Sequence, residues 1–288
     1  MNIVLGGTGH VGSATAAALL KRGEPVTIVT RGSAKSDEWE RKGALIAVAD
    51  ASDVESLRRV FRQGKRLFLV NPPADPATDT DAEERRTAGA IVAALSGSGV
   101  EKIVVQSTYG AQAGERCGDL STLYALERMV QAQAIPATIL RAAYYMSNWD
   151  SSLITAQESG VVQSFLPETL ELPMVAPHDV GEVAARWLLE DARTGLYHVE
   201  GPERYTPGDV SRAFAAALDK PVRLDVTPRD HWRQAFQSLG FSESSAESYA
   251  RMTAVTVDEP YELPDEPERG NTSLRRYIAE LVERASTA

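Results

Sequence analysis

A chain of 288 residues with 43% hydrophobic and 24% charged side chains can bury a full core without covalent staples. Its one cysteine, Cys117, excludes an internal disulfide framework, and no Cys and His residues stand at the spacing of a zinc site, so no metal is expected. The net charge of -10 argues against a nucleic-acid partner, which usually meets a basic face, and no run approaches the ~20 apolar residues of a membrane span.

The chain opens Met-Asn-Ile-Val-Leu and enters a glycine turn at once, so no signal peptide is read and a cytoplasmic location is the expectation. Through the first half, short apolar runs at 2–5, 26–30, 44–49, 66–70, 102–106 and 137–140 read as strands. Between them, 12–22, 54–63, 82–95 and 121–132 carry apolar residues at helical spacing. That alternation yields parallel strands with helices on both faces. After Trp149 the pattern changes: helices are expected at 180–189, 207–218 and 230–239, with strands at 195–200 and 222–226. Asp179 with Glu182 three residues on reads as a capping box. Residues 258–268 hold six acids and three prolines and read as a solvated loop, and 272–283 recover helical periodicity.

Gly6-Gly7-Thr8-Gly9-His10-Val11-Gly12 follows the first strand directly and opens an alanine-rich helix. This is the context in which such a turn binds a dinucleotide: Gly6 permits the tight turn, Gly9 the approach of backbone to a pyrophosphate, and Gly12 close packing of helix on strand. The expected architecture is α/β: a Rossmann-type doubly wound parallel sheet over 1–149 and a smaller mixed α/β lobe over 150–288. Some segments of the lobe are expected to return to the main sheet. The second strand ends in Arg31, with Lys35 four positions on, where NAD-selective sites carry an acid. Two cations there suit a 2′-phosphate and favour NADP(H) over NAD(H). Asp50 and Ala51 close the third strand beside the expected adenine, although Asp50 equally suits a helix cap.

Taken with these, Asn71-Pro72-Pro73, Ser107 to Ala111, Thr138 to Arg141, Tyr145 and Asn148 fall in a recognisable order, and the chain resembles the NmrA-like, atypical short-chain dehydrogenases. That resemblance implies either an NADPH-dependent reductase of quinones, dyes or azo compounds, or a redox sensor that binds the cofactor without efficient turnover. It also implies that Asn71, Pro72, Pro73, Gln106, Ser107 and Thr108 line the nicotinamide half of the site, with Thr108 or Ser107 polarising an acceptor. The Tyr and Lys of a typical short-chain dehydrogenase fall on Asp119 and Leu123 when Glu127 anchors the register, so that dyad is absent. A shift of one residue offers Tyr124 with Arg128, which makes Tyr124 a candidate acid. A conjugated acceptor needs no strong protein acid, and the partner expected is such a small molecule, with oligomerisation left open. Tyr109, Tyr144, Tyr145, Met146 and Trp149 are candidates for its aromatic wall.

Overall fold

The computed structural model describes residues 1–32, 36–259 and 263–287. In chain order the first half contains β1 (Asn2–Leu5), α1 (His10–Lys21), β2 (Val26–Thr30), α2 (Ser36–Arg41), β3 (Leu45–Val48), α3 (Val54–Phe61), β4 (Arg66–Leu69), α4 (Thr80–Leu95), β5 (Lys102–Thr108), α5 (Gly118–Gln131) and β6 (Ala137–Ala142). There follow β7 (Tyr144–Tyr145), a 3-10 turn at Met146–Trp149, α6 (Ser152–Ser159), β8 (Val161–Ser164), β9 (Leu172–Val175), α7 (Pro177–Leu189), β10 (Gly195–Glu200), β11 (Arg204–Tyr205), α8 (Pro207–Leu218), β12 (Arg223–Val226), α9 (Trp232–Ser238), α10 (Glu243–Asp258), β13 (Glu268–Arg269) and α11 (Leu274–Thr287).

Eight strands form one sheet in the order β13-β10-β6-β5-β4-β1-β2-β3, every neighbouring pair parallel. Strand side chains alternate between faces, and the core divides accordingly. Val4, Ile28, Phe68, Val104 and Leu140 pack with α1 and α7 on one side. Ile3, Leu5, Leu67, Leu69, Ile103 and Ile139 pack with α3, α4 and α5 on the other. Helices on both faces of a parallel sheet make the fold Rossmann-type and doubly wound.

Several segments of the second half belong to this sheet layer. β10 lies beside β6, with Gly195 opposite Thr138, and β13 lies beside β10. α7 covers the same face as α1, with Ala14 and Gly181 small enough to let the two helices meet. The rest forms a third core around Met146, Trp149, Phe214 and Ile278, with two small sheets, β11-β9-β7 and β12-β8. β10, α7 and β13, all beyond Trp149 in the chain, thus pack within the sheet layer.

Other differences have local causes. Pro177 starts α7 two residues before Asp179, so no capping box forms there. Asp179 instead accepts the Thr272 N–H at 2.9 Å, and His178 Nε2 lies 2.6 Å from the Thr272 hydroxyl, which together tie the C-terminal segment to α7. A capping box forms instead between Thr206 and Asp209, at the start of α8. α10 escapes apolar periodicity because serines make its contacts: Ser245 bonds Thr80, while Ser248 bonds Asp81 and the Gly118 N–H. Among the described residues no helix is long and apolar enough to cross a membrane, and no group of His, Cys, Asp and Glu could hold a metal ion.

Candidate functional site

The turn between β1 and α1 leaves a space that only glycine permits. Gly6 has φ of +71°, and a Cβ there would lie 2.5 Å from Val70 Cγ1; a Cβ on Gly12 would lie 2.2 Å from the Gly6 carbonyl oxygen. The Gly9 N–H donates to the Gly6 carbonyl at 2.9 Å and closes the turn. Gly9 is also the N-cap of α1 and has no side chain to satisfy the first helical N–H groups. The helix therefore presents free donors and the positive end of its dipole, an arrangement that suits an anion such as a pyrophosphate.

A cavity of about 510 Å³ runs from this turn along the C-terminal edge of the sheet. It brings together Gly6, Thr8, Gly9, His10, Val11, Gly12, Arg31, Ala51, Pro72, Pro73, Gln106, Tyr145 and Asn148 from the residues named above, and adds Val29, Thr30 and Ser147. At one end the exposed Arg31 side chain makes no hydrogen bond among the described residues; Lys35 lies outside them. A smaller cavity of about 240 Å³ adjoins this end and shares Arg31, Ala51, Pro72 and Pro73. Asp50 lines that smaller space and not the main one. Its carboxylate accepts the backbone N–H and the hydroxyl of Ser52, both at 2.8 Å. Those bonds, helped by the charges of Arg31 and Arg86, hold it below the usual carboxylate range. The cap of α3 is Asp53.

Other residues expected at the opposite end face elsewhere. On β5, Gln106 reaches the cavity while Ser107, on the other face, is buried and donates to Glu127. Glu127 in turn binds the Arg141 guanidinium through two bonds of 2.9 and 2.8 Å. Ser107, Glu127 and Arg141 thus lock β5, α5 and β6 together, and Ser107 has no hydroxyl left for a ligand. Asn71 is also buried; its amide donates to the Glu84 carbonyl at 3.1 Å and anchors the loop whose Pro72 and Pro73 line the cavity. Thr108 and Tyr124 are half-buried and lie outside the cavity lining. Of the five aromatic-wall candidates, Tyr145 alone lines it. Met146 and Trp149 are buried in the small-lobe core, Tyr144 packs on Trp149, and the Tyr109 hydroxyl donates to the buried Glu200 at 2.8 Å. Cys117 is buried at the start of α5, which pushes its thiol up.

Behind Tyr145, three acids lie close together where α4, α5 and α10 meet. Asp81 accepts Ser248 and Ser121, and Glu84 accepts the Ala74 N–H at 3.3 Å and the Thr122 hydroxyl at 2.9 Å. Asp119, on the first turn of α5, has no hydrogen bond among the described residues. Burial, with the charge of Asp119 adding to it, pushes Glu84 up to about 7. Burial and then the Asp81 charge push Asp119 up to about 6. These acids were invisible as a group in the sequence, since positions 81, 84 and 119 meet only through helix packing.

The NmrA-like family matches residues 2–273. The NAD(P)H azoreductase of Xenophilus azovorans is 24% identical over 256 residues, which cover 88% of this chain and 87% of the relative. The NADPH-dependent quinone oxidoreductase of Escherichia coli, solved with NADPH, superimposes with a TM-score of 0.75 at 19% identity, covering 98% of this chain and 99% of that one. The triphenylmethane reductase of Citrobacter sp., solved with NADP(H), gives a TM-score of 0.75 at 19% identity and covers 99% of each chain.

Proposed function

The chain belongs to the NmrA-like family, and from that premise we propose that it is an NADPH-dependent oxidoreductase that passes hydride to a small conjugated acceptor such as a quinone or dye. The observation that carries this reading is the single cavity joining the glycine turn and Arg31 to Gln106, Tyr145 and Asn148. It provides an anion cradle at one end and a half-apolar chamber at the other. Gly6, Thr8, Gly9, His10, Val11 and Gly12 hold the pyrophosphate, and Ala51, Pro72 and Pro73 flank the adenine side with Asp50 at its margin. Arg31, charged and without a hydrogen bond among the described residues, takes the 2′-phosphate. The azoreductase, the quinone oxidoreductase and the dye reductase to which the chain is similar support the same class of acceptor.

When bound, the cofactor supplies hydride, and the protein contributes orientation and exclusion of water. Following NADPH absorbance against a panel of quinones, azo dyes and triphenylmethane dyes tests the reading. Turnover with at least one class is expected. The positions of the usual dyad carry Asp119 and Leu123, which favours a second reading, a cofactor-occupancy sensor without efficient turnover. Tight binding with unequal affinity for NADPH and NADP+, and no oxidation by any acceptor, would select it.

A further inference from the structure

Opposite the phosphate end, the cavity has two walls that belong to different sheets. One is the main sheet, from which Val70, just past β4, and Gln106, on β5, reach the cavity. The other is the segment that brings Tyr145, Ser147 and Asn148, where Tyr145 pairs with Val175 in the small sheet β11-β9-β7. Ligands of a doubly wound fold lie across the C-terminal strand ends, so the dinucleotide proposed above runs along the main-sheet wall, from Arg31 past the glycine turn to Gln106. A molecule entering beside it meets the second wall.

Each wall carries one polar atom that lacks a protein partner: Gln106 Oε1 and Tyr145 Oη are buried and make no hydrogen bond among the described residues. A buried polar atom left unpaired costs about 1–3 kcal/mol, so its persistence beside a cavity points to a group that a ligand supplies. The Gln106 amide offers a donor and an acceptor on one edge, the complement of the carboxamide that the cofactor carries. The Tyr145 hydroxyl is left for the second ligand, and burial keeps its phenol protonated. No carboxylate lines the cavity. Its basic side chains, His10 and Arg31, stand on the phosphate side, and Asp81, Glu84 and Asp119 lie outside the lining. A cationic acceptor finds no counter-ion on either wall, whereas a neutral one that bears an oxygen finds an O–H.

We infer that Tyr145 is the specificity-determining residue for the acceptor: its hydroxyl donates to an acceptor oxygen and selects neutral, carbonyl-bearing conjugated molecules of the quinone class over oxygen-free cationic dyes. Gln106, on the facing wall, serves the carboxamide of the cofactor. This rests on the hydride-transfer reading above. As a quinone accepts hydride, the electron pair collects on its oxygen. The Tyr145 O–H donates more strongly to that oxygen as charge grows, keeps its own proton, and leaves the released hydroquinone anion to be protonated by solvent.

The test compares wild type and Tyr145→Phe on 1,4-naphthoquinone and on crystal violet, an oxygen-free cation. The ratio of kcat/KM for quinone over dye is expected to fall by about 10- to 100-fold in the variant, the range of one hydrogen bond to a developing charge. An unchanged ratio overturns the inference. Calorimetry then separates the two walls. Tyr145→Phe is expected to hold NADP+ within about twofold of wild type, and a tenfold loss would place the hydroxyl on the cofactor instead. Gln106→Leu is expected to weaken NADP+ about tenfold and 2′,5′-ADP, which lacks the nicotinamide, less than twofold. Equal losses for the two ligands would overturn the Gln106 assignment.

Two readouts need no turnover. The NADP+-loaded wild type is expected to bind 4-nitrophenolate about tenfold more tightly than Tyr145→Phe, and equal affinities overturn the Tyr145 assignment. The Tm of ligand-free Tyr145→Phe is expected to equal or exceed that of the wild type, since only an unpaired oxygen is removed; a lower Tm would show that the hydroxyl serves the fold. If the wild type oxidises NADPH with neither acceptor, the hydride-transfer reading fails, and the phenolate arm still decides the role of Tyr145.

Discussion

The two ends of the cavity are built from different materials. The phosphate end is made of backbone: a left-handed glycine, a glycine that cannot bear a Cβ, and the open first turn of α1. The opposite end, which we propose receives the acceptor, is lined by side chains such as Gln106 and Tyr145 and rests on contacts behind them: Ser107 to Glu127 to Arg141 on one side, and Asn71 and Thr122 to Glu84 on the other. A backbone site needs only a few glycines in a row, so it is compact in sequence. A side-chain site draws on distant segments and depends on packing that arrives from α5 and α10.

That contrast can be broken in four places, taken from the largest effect down. Glu127→Ala leaves the Arg141 guanidinium without its carboxylate in a mostly buried position, and a loss of ~3–5 kcal/mol is expected in urea denaturation. A loss under ~1 kcal/mol would show that this triad does not hold the acceptor end. Gly12→Ala places a Cβ 2.2 Å from a carbonyl oxygen, so the turn must open. Calorimetry is expected to show at least ~100-fold weaker binding of both NADPH and NADH, equivalent to ~2.7 kcal/mol; retention of either affinity contradicts the cradle.

The third test concerns pH. Glu84 ionises near 4.5 when exposed and near 7 in the folded protein, so the folded state holds this proton longer. Its contribution to stability is complete below pH 4.5 and is lost as pH rises through about 7. The stability of Glu84→Gln relative to wild type is therefore expected to improve by on the order of 2 kcal/mol between pH 4.5 and pH 8. Equal differences at the two values would place the charge in solvent. The smallest effect is one of selectivity: Arg31→Ala is expected to weaken NADPH about tenfold and NADH less than twofold, in line with the loss of one charge-assisted bond. Parallel losses for the two cofactors would remove the 2′-phosphate assignment.

The legibility of the sequence follows the same division. β1, β2, β4 and the glycine turn were readable because apolar runs and Gly6, Gly9 and Gly12 each act locally. The strand at 195–200 was readable as a strand, yet nothing local told which neighbour it would choose; it completes the main sheet because β6 offers an open parallel edge. α10 escapes such a reading because its buried side is two serines, an alanine and a threonine, which periodicity of large apolar residues does not detect. Ser107 and Asn71 sit in the expected segments of chain but turn away from the cavity. Strand alternation decides the first and the Glu84 carbonyl the second, and which face meets the ligand is set only when helices pack.

The late arrival of β10 also bears on how the chain is made. Strands β1 to β6 can pair as soon as about the first half has been synthesised, but β6 then ends the sheet with a bare row of backbone donors and acceptors until residues 195–200 emerge. A parallel edge of that length, rich in Thr, Ile and Leu, is a template for the wrong partner. During synthesis the segment between β6 and β10, which carries part of the small lobe and α7, therefore sets how long the nascent sheet stays exposed to aggregation. Slowing translation across 150–194 would be felt first as a loss of yield and only later, if at all, as a loss of activity.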